Sequence, residues 1–171
     1  MALPKLEVPI YELTVPSTDE KIKYRPFLIK EEKILLIAME SGANEDVIQA
    51  VKQIVSECTF NTLKLGNMPM FDVEYIFLQI RSKSVGEVSK LKILCRDDGE
   101  TYANVEVDLT EIEVQVNDDH TNKIELTDEM GVIMKYPTID SFSTAGISDI
   151  TPENMLDVIV ACIDKIYDKK G

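Results

Sequence analysis

Lys90-Leu91-Lys92-Ile93-Leu94-Cys95-Arg96-Asp97-Asp98-Gly99-Glu100-Thr101-Tyr102-Ala103-Asn104-Val105-Glu106-Val107-Asp108-Leu109 is the stretch on which the fold class turns. Leu91, Ile93 and Cys95 alternate with Lys90 and Lys92; Ala103, Val105, Val107 and Leu109 alternate with Asn104, Glu106 and Asp108. A period of two puts apolar side chains on one face of a strand and polar ones on the other. Asp97-Asp98-Gly99 supplies the turn between the two runs. The pattern predicts an antiparallel hairpin with one wet face. Further short strands are predicted at Ile112-Val114-Val116, Ile124-Leu126 and Val132-Met134-Tyr136, so residues 88–137 read as an antiparallel β-meander.

Upstream the period changes. Residues 29–86 read as three helices. The first carries Leu28, Leu35, Leu36 and Met39 at helical spacing, with Ile34 and Ile37 broadening the apolar face, and Ser41-Gly42 stops it. The second places Val47, Val51, Ile54, Val55 and Cys58 on one side. The third, from about Met70 to Lys83, is apolar nearly all round, which is the pattern of a helix buried in a core or against a partner. Before them, residues 5–27 predict a β-hairpin: Tyr11, Leu13 and Val15 alternate with polar residues, Pro16-Ser17-Thr18-Asp19 turns the chain, and Ile22 and Tyr24 alternate with Lys21, Lys23 and Arg25. After the meander, a loop over residues 138–150 leads to a C-terminal helix over about 151–168. Thr151 is its expected N-cap, Pro152 its first residue, Met155, Ile159, Cys162, Ile163 and Ile166 its stripe, and Lys165, Lys169 and Lys170 the cations at its end. Segregated helices and strands give an α+β class, as a single domain over residues 1–171 with the helices covering one face of the meander and the last helix packed on the sheet.

Net charge is −13, from 31 acids against 18 bases. Phosphate recognition needs clustered Lys and Arg, so nucleic acid is excluded as a partner, and an anionic membrane face with it. The acidic surface keeps the chain soluble or steers a basic protein toward it. The longest apolar run, Ile34 to Met39, is too short to span a bilayer, and the N-terminus lacks the basic head and apolar body of a signal peptide. The expected location is a cytoplasm.

The residues that could carry chemistry do not form a recognisable set. His120, in Asn117-Asp118-Asp119-His120-Thr121-Asn122, is the one histidine and reads as part of a solvated turn. Cys58, Cys95 and Cys162 are widely spaced in apolar contexts and read as small core residues, with no disulfide framework. Cys95 stands where a zinc knuckle would begin, but Asp98 occupies the place of its second cysteine. The acids Asp118, Asp119, Asp128 and Glu129 lack the spacing and central glycine of a calcium loop, and paired acids in a sequence do not make a glycosidase. No glycine-rich phosphate loop is present. The alternative to a binding protein is a small hydrolase or metal-dependent enzyme built on Cys95, His120 and these acids.

Two longer segments carry a family resemblance. Tyr24-Arg25-Pro26-Phe27-Leu28-Ile29-Lys30-Glu31-Glu32-Lys33, followed by Leu35, Ala38 and Met39-Glu40-Ser41, resembles the N-terminal signature of the T-even-type bacteriophage baseplate hub proteins. Pro69-Met70-Phe71-Asp72-Val73-Glu74-Tyr75 through Arg81-Ser82-Lys83-Ser84-Val85-Gly86-Glu87 resembles a second signature, and Asp164-Lys165-Ile166-Tyr167-Asp168 a third, weaker one. The resemblance implies a protein of contractile-tailed phages, needed to build the central hub of the baseplate as a hub subunit or assembly chaperone. It implies no enzymatic activity and no cofactor; the spacing of Cys95, Asp98 and the other cysteines offers no metal site. Its partners would be other tail and baseplate hub proteins, with a homo-oligomer left open, in the host cytoplasm during assembly or in the virion. Some relatives carry a Cys-x-x-Cys pair where Cys95 and Asp98 stand, and relatives continue past the last helix with an acidic, aromatic tail where this sequence reads Asp168-Lys169-Lys170-Gly171. Large aromatics dominate well-packed interfaces, so the expected partner-binding residues are Tyr24, Arg25 and Phe27 at the strand-to-helix junction and Phe71, Tyr75 and Phe77 on the third helix. The alternative is a hydrophobic staple leading into the first helix for the junction and plain core packing for the third helix.

Overall fold

Tyr11–Thr14 (β1) and Lys21–Tyr24 (β2) pair antiparallel with Tyr11 opposite Tyr24 and Leu13 opposite Ile22, the expected hairpin, in a computed structural model that describes residues 7–117, 119–141, 151 and 153–168. The expected start of this hairpin, residues 5 and 6, lies outside the described residues. Asp19 adopts a left-handed conformation (φ 56°) in the turn, and the turn is pinned from outside. Asp72, fully buried, accepts from the Ser17 amide (3.1 Å) and from the Ser17 hydroxyl. Asp72 lies in the first turn of a helix, where a carboxylate also complements the dipole.

The three expected helices are Ile29–Ser41 (α1), Asn44–Cys58 (α2) and Met70–Val85 (α3). Gly42 ends α1 in the left-handed region (φ 70°), its amide bonding the Met39 carbonyl. The core is built by β1–β2, α2 and α3: Val15, Ile22 and Tyr24 pack with Ile54, Val55, Cys58, Val73, Ile76 and Ile80, joined by Leu65 and Ile139. The helices therefore cover the N-terminal hairpin, not the later strands as the sequence pattern suggested.

The expected single meander over 88–137 divides. Val88–Leu94 (β3) and Tyr102–Asp108 (β4) form a two-stranded hairpin of seven residue pairs, from Val88 opposite Asp108 to Leu94 opposite Tyr102. Asp108 then caps a 3₁₀ turn over Leu109–Glu111 through the Thr110 amide, and buried Leu109 bonds the Glu87 carbonyl at 2.8 Å. This turn takes the chain out of the ladder, and Ile112–Val116 joins no sheet despite its alternation. A second sheet orders Lys123–Glu125 (β5), Met130–Met134 (β6) and Ile163–Asp168 (β7), all antiparallel.

The third strand of that sheet replaces the second half of the expected C-terminal helix. The helix is confined to Met155–Ala161 (α4), with Asn154 rather than Thr151 at its N-cap position and Thr151 donating its amide to Asn154 Oδ1. The expected Pro152 start and the Lys169 and Lys170 end lie outside the described residues, as does most of the expected 138–150 loop. The helix buries none of its residues, so it is not packed on the sheet along its stripe. β7 forms because β6 needs a second neighbour for its backbone groups and because Ile163, Ile166 and Tyr167 favour strand. Tyr167 lies across Gly131 so closely that a Cβ there would come within 2.3 Å of its hydroxyl. Helical spacing was real in the sequence, but pairing overrides it.

Candidate functional site

The Tyr24–Leu28 junction is where the sequence placed a docking surface, and its polar groups are turned inward. Tyr24 is 3% exposed and belongs to the core, and burial raises its phenol pKa. Arg25 donates from one guanidinium nitrogen to Glu31 Oε1 at 2.7 Å and from the other to the Pro26 carbonyl at 3.0 Å. Glu31, fully buried, accepts from the Leu28 amide at 2.8 Å with its second oxygen, satisfying a free donor at the start of α1. Burial pushes the Glu31 carboxyl pKa up, but the bonds from Arg25, the Leu28 amide and Lys30 outweigh it and hold the pKa at about 2.

The same junction is tied to two further helices. The Arg25 amide bonds the Cys58 carbonyl at the end of α2 (3.0 Å), and the Phe27 amide bonds Ser84 Oγ near the end of α3 (2.9 Å). Lys30 Nζ reaches Glu57 Oε2 at 2.6 Å. The first signature thus clamps β2 and α1 onto α2 and α3, and the second supplies two receivers, Asp72 and Ser84.

The aromatic residues expected as anchors on α3 are half-buried. Phe77 packs against the core, as does Phe27. Phe71 meets Tyr136 edge to face at 4.9 Å, and Tyr136 stacks on His120 with its hydroxyl 3.0 Å from His120 Nε2. Tyr136 and His120 help line an open groove of about 890 Å³ between Asn67–Pro69 and the β5–β6 strands. The six expected residues do not form one exposed patch: Tyr24 and Arg25 hold the core and junction, and Phe71 packs on Tyr136, which lines the groove.

Solvent-facing apolar surface lies elsewhere. α1 buries Ala38 and Glu31 and exposes Ile29 (83%), Leu36, Ile37 and Met39. On β3–β4, Leu91 and Ile93 are exposed beside half-buried Val105 and Val107, and none of the four belongs to the core. α4 exposes Met155, Leu156, Ile159 and Val160. Contiguous exposed apolar faces mark interaction sites. The signal for α1 was present in Ile34 and Ile37, which make that helix apolar on more than the side it buries.

The residues of the enzymatic alternative occupy separate places. Cys95 closes the β3–β4 turn, its amide bonding the Thr101 carbonyl at 2.8 Å and its carbonyl receiving the Gly99 amide. Asp98, in the position of a knuckle's second cysteine, accepts from the Thr101 hydroxyl and from the amides of Thr101 and Glu100, which hold its pKa at about 2. The turn is stapled by a carboxylate. Cys58 is buried, and burial raises its thiol pKa to about 11. Among the described residues no three His, Cys, Asp or Glu side chains converge as a metal site, and no helix is long and apolar enough to cross a membrane.

A family model described as T4 bacteriophage base plate protein matches residues 8–171. No curated protein and no solved structure matches the chain.

Proposed function

The chain belongs to the T4 bacteriophage base plate protein family, and from that membership we propose that it helps build the central hub of the base plate through protein–protein contacts, without chemistry of its own. The observation that supports this reading is the exposed apolar face of α1, Ile29, Leu36, Ile37 and Met39, on a helix whose other side is fixed by the Arg25–Glu31 clamp. A rigid helix presenting a row of large aliphatic side chains is a preformed contact surface. Its partners are other base plate proteins, met in the host cytoplasm while the tail is assembled.

Within this reading the chain is either a component retained in the hub or a chaperone that leaves. Mass spectrometry of purified virions, set against affinity purification of the tagged chain from infected cells, separates the two. Fixed stoichiometry in virions identifies a hub component. Absence from virions, with hub proteins co-purifying from cells, identifies a chaperone. If no base plate protein accompanies the chain in either preparation, the reading fails.

A further inference from the structure

We propose that the β3–β4 hairpin and the unpaired run Ile112–Val116 that follows it form a docking strip for a β-strand of a partner protein, one in which apolar residues alternate with Lys or Arg. The proposal rests on the assembly reading above and specifies a surface and a partner chemistry for it.

The hairpin is an incomplete structure by itself. Its seven-pair ladder contributes no residue to the core, and its apolar face holds Leu91 (44% exposed), Ile93 (49% exposed), Val105 and Val107. Isolated two-stranded hairpins are marginal in water, and one with an uncovered apolar face is stabilised by whatever covers it. Immediately after it, Glu111-Ile112-Glu113-Val114-Gln115-Val116 has the alternation and β-branched content of a strand. Ile112 already has extended dihedrals (φ −77°, ψ 120°), and Val116 is 67% exposed, yet the run joins no sheet among the described residues. A strand-like segment without a ladder can receive an added strand, whose main chain supplies the hydrogen bonds and whose alternate side chains supply specificity.

Charge selects the occupant. Residues 97–122 contain nine Asp and Glu and no Lys or Arg, in a chain whose net charge is −13. An added strand would set its polar residues beside this acidic row. Opposite charges across a pair stabilise and like charges oppose, which favours Lys or Arg at those positions. A symmetric pairing of two copies through residues 111–116 would set like charges against each other, and of the two lysines on β3 that a second copy could offer, Lys90 is already paired with Glu106 at 3.1 Å in its own hairpin.

The test takes the full chain and the base plate protein that co-purifies with it, each purified, and follows amide hydrogen exchange alone and mixed. Carbodiimide cross-linking, which joins carboxylates to lysines, then locates the partner segment. Protection of residues 88–108 and 112–116, with cross-links to a strand of alternating apolar and basic residues, is the expected result. Glu111→Lys with Glu113→Lys should weaken the complex about tenfold or more, while Glu7→Lys with Glu20→Lys, the same change in net charge away from both this strip and α1, should leave it within about twofold. Circular dichroism of both variants should match the parent, because all four side chains are exposed. A complex that leaves 88–116 unprotected, or tolerates the Glu111/Glu113 reversal, overturns the docking strip and leaves the assembly reading standing. Protection that appears in the chain alone as its concentration rises makes the occupant a second copy and overturns the basic partner. If no base plate protein co-purifies, it is the assembly reading that falls.

Discussion

Arg25 and Glu31 meet at 2.7 Å with the carboxylate fully buried and the guanidinium side chain 12% exposed, and the second carboxylate oxygen is taken by the Leu28 amide. One ion pair therefore closes the entrance to α1 and fixes the strand that leads into it. Removing one partner of a buried pair leaves an uncompensated charge. Arg25→Ala is expected to cost about 3–5 kcal/mol in urea unfolding. Glu31→Ala should cost a similar amount, and the double variant should cost clearly less than the sum. Additive losses would show that the two side chains do not act as a pair.

Acid should find the same pair. The Glu31 carboxyl titrates at about 2 in the folded chain against 4.5 as the ordinary value, so the folded state binds the proton less readily than the unfolded state. For a depressed acid, the stability it contributes is complete above the unfolded value and is lost as pH falls through the folded one. Unfolding free energy should thus fall between about pH 4.5 and pH 2. In Glu31→Gln this part of the slope should be missing, while the slope from other carboxylates remains. Parallel curves for the two proteins over that interval would contradict the assignment.

Gly131 faces a tighter constraint than its place in a strand suggests. A Cβ would lie 2.3 Å from the Tyr167 hydroxyl and 2.7 Å from the Ile124 carbonyl, and the second neighbour is backbone. Gly131→Ala should destabilise the three-stranded sheet by about 1–3 kcal/mol, with faster amide exchange at β7. Combining it with Tyr167→Ala should recover only part of the loss, because the Ile124 contact remains.

What the sequence made legible follows a physical division. β1–β2 and β3–β4 were readable because each is a local pair, two alternating runs joined by turn residues, and nothing distant is needed to decide them. α1, α2 and α3 were readable from helical spacing. Ile163–Asp168 was misread because Ile159, Cys162, Ile163 and Ile166 fit a helix, while the reason for a strand lies some thirty residues upstream at Gly131 and Val132. Ile112–Val116 was misread in the opposite sense: it has strand chemistry and no partner within the described chain. The docking residues suffered most. Tyr24, Arg25 and Phe27 look like an exposed hot spot in one dimension, and only the positions of Glu31, Cys58 and Ser84 show that they are a clamp.

The thiols should separate by reactivity. Cys58 is fully buried, and burial raises its pKa to about 11, so little thiolate is present at neutral pH and none is reachable. Cys95 is half-buried at a hairpin turn. Iodoacetamide at neutral pH should label Cys95 in the native protein and leave Cys58 unmodified until denaturant is added, as read by peptide mass spectrometry. Early labelling of Cys58 would mean that the α2 end opens away from Arg25.

The exposed face of α1 separates stability from assembly. Leu36 and Ile37 are more than half exposed and contribute nothing to the core, so replacing them removes little buried area. Leu36→Lys with Ile37→Ser should change unfolding free energy by no more than about 0.5 kcal/mol per site. If the base plate reading is right, the same variant should fail to co-purify with base plate proteins, because an uncovered aliphatic row contributes to association through the area its partner covers. Buried Ala38 lies one residue further along the same helix and provides the contrast. Ala38→Leu would crowd the helix interface and lower stability, so any loss of association there would come with a loss of fold. A Leu36/Ile37 variant that folds and still assembles would move the contact surface off α1.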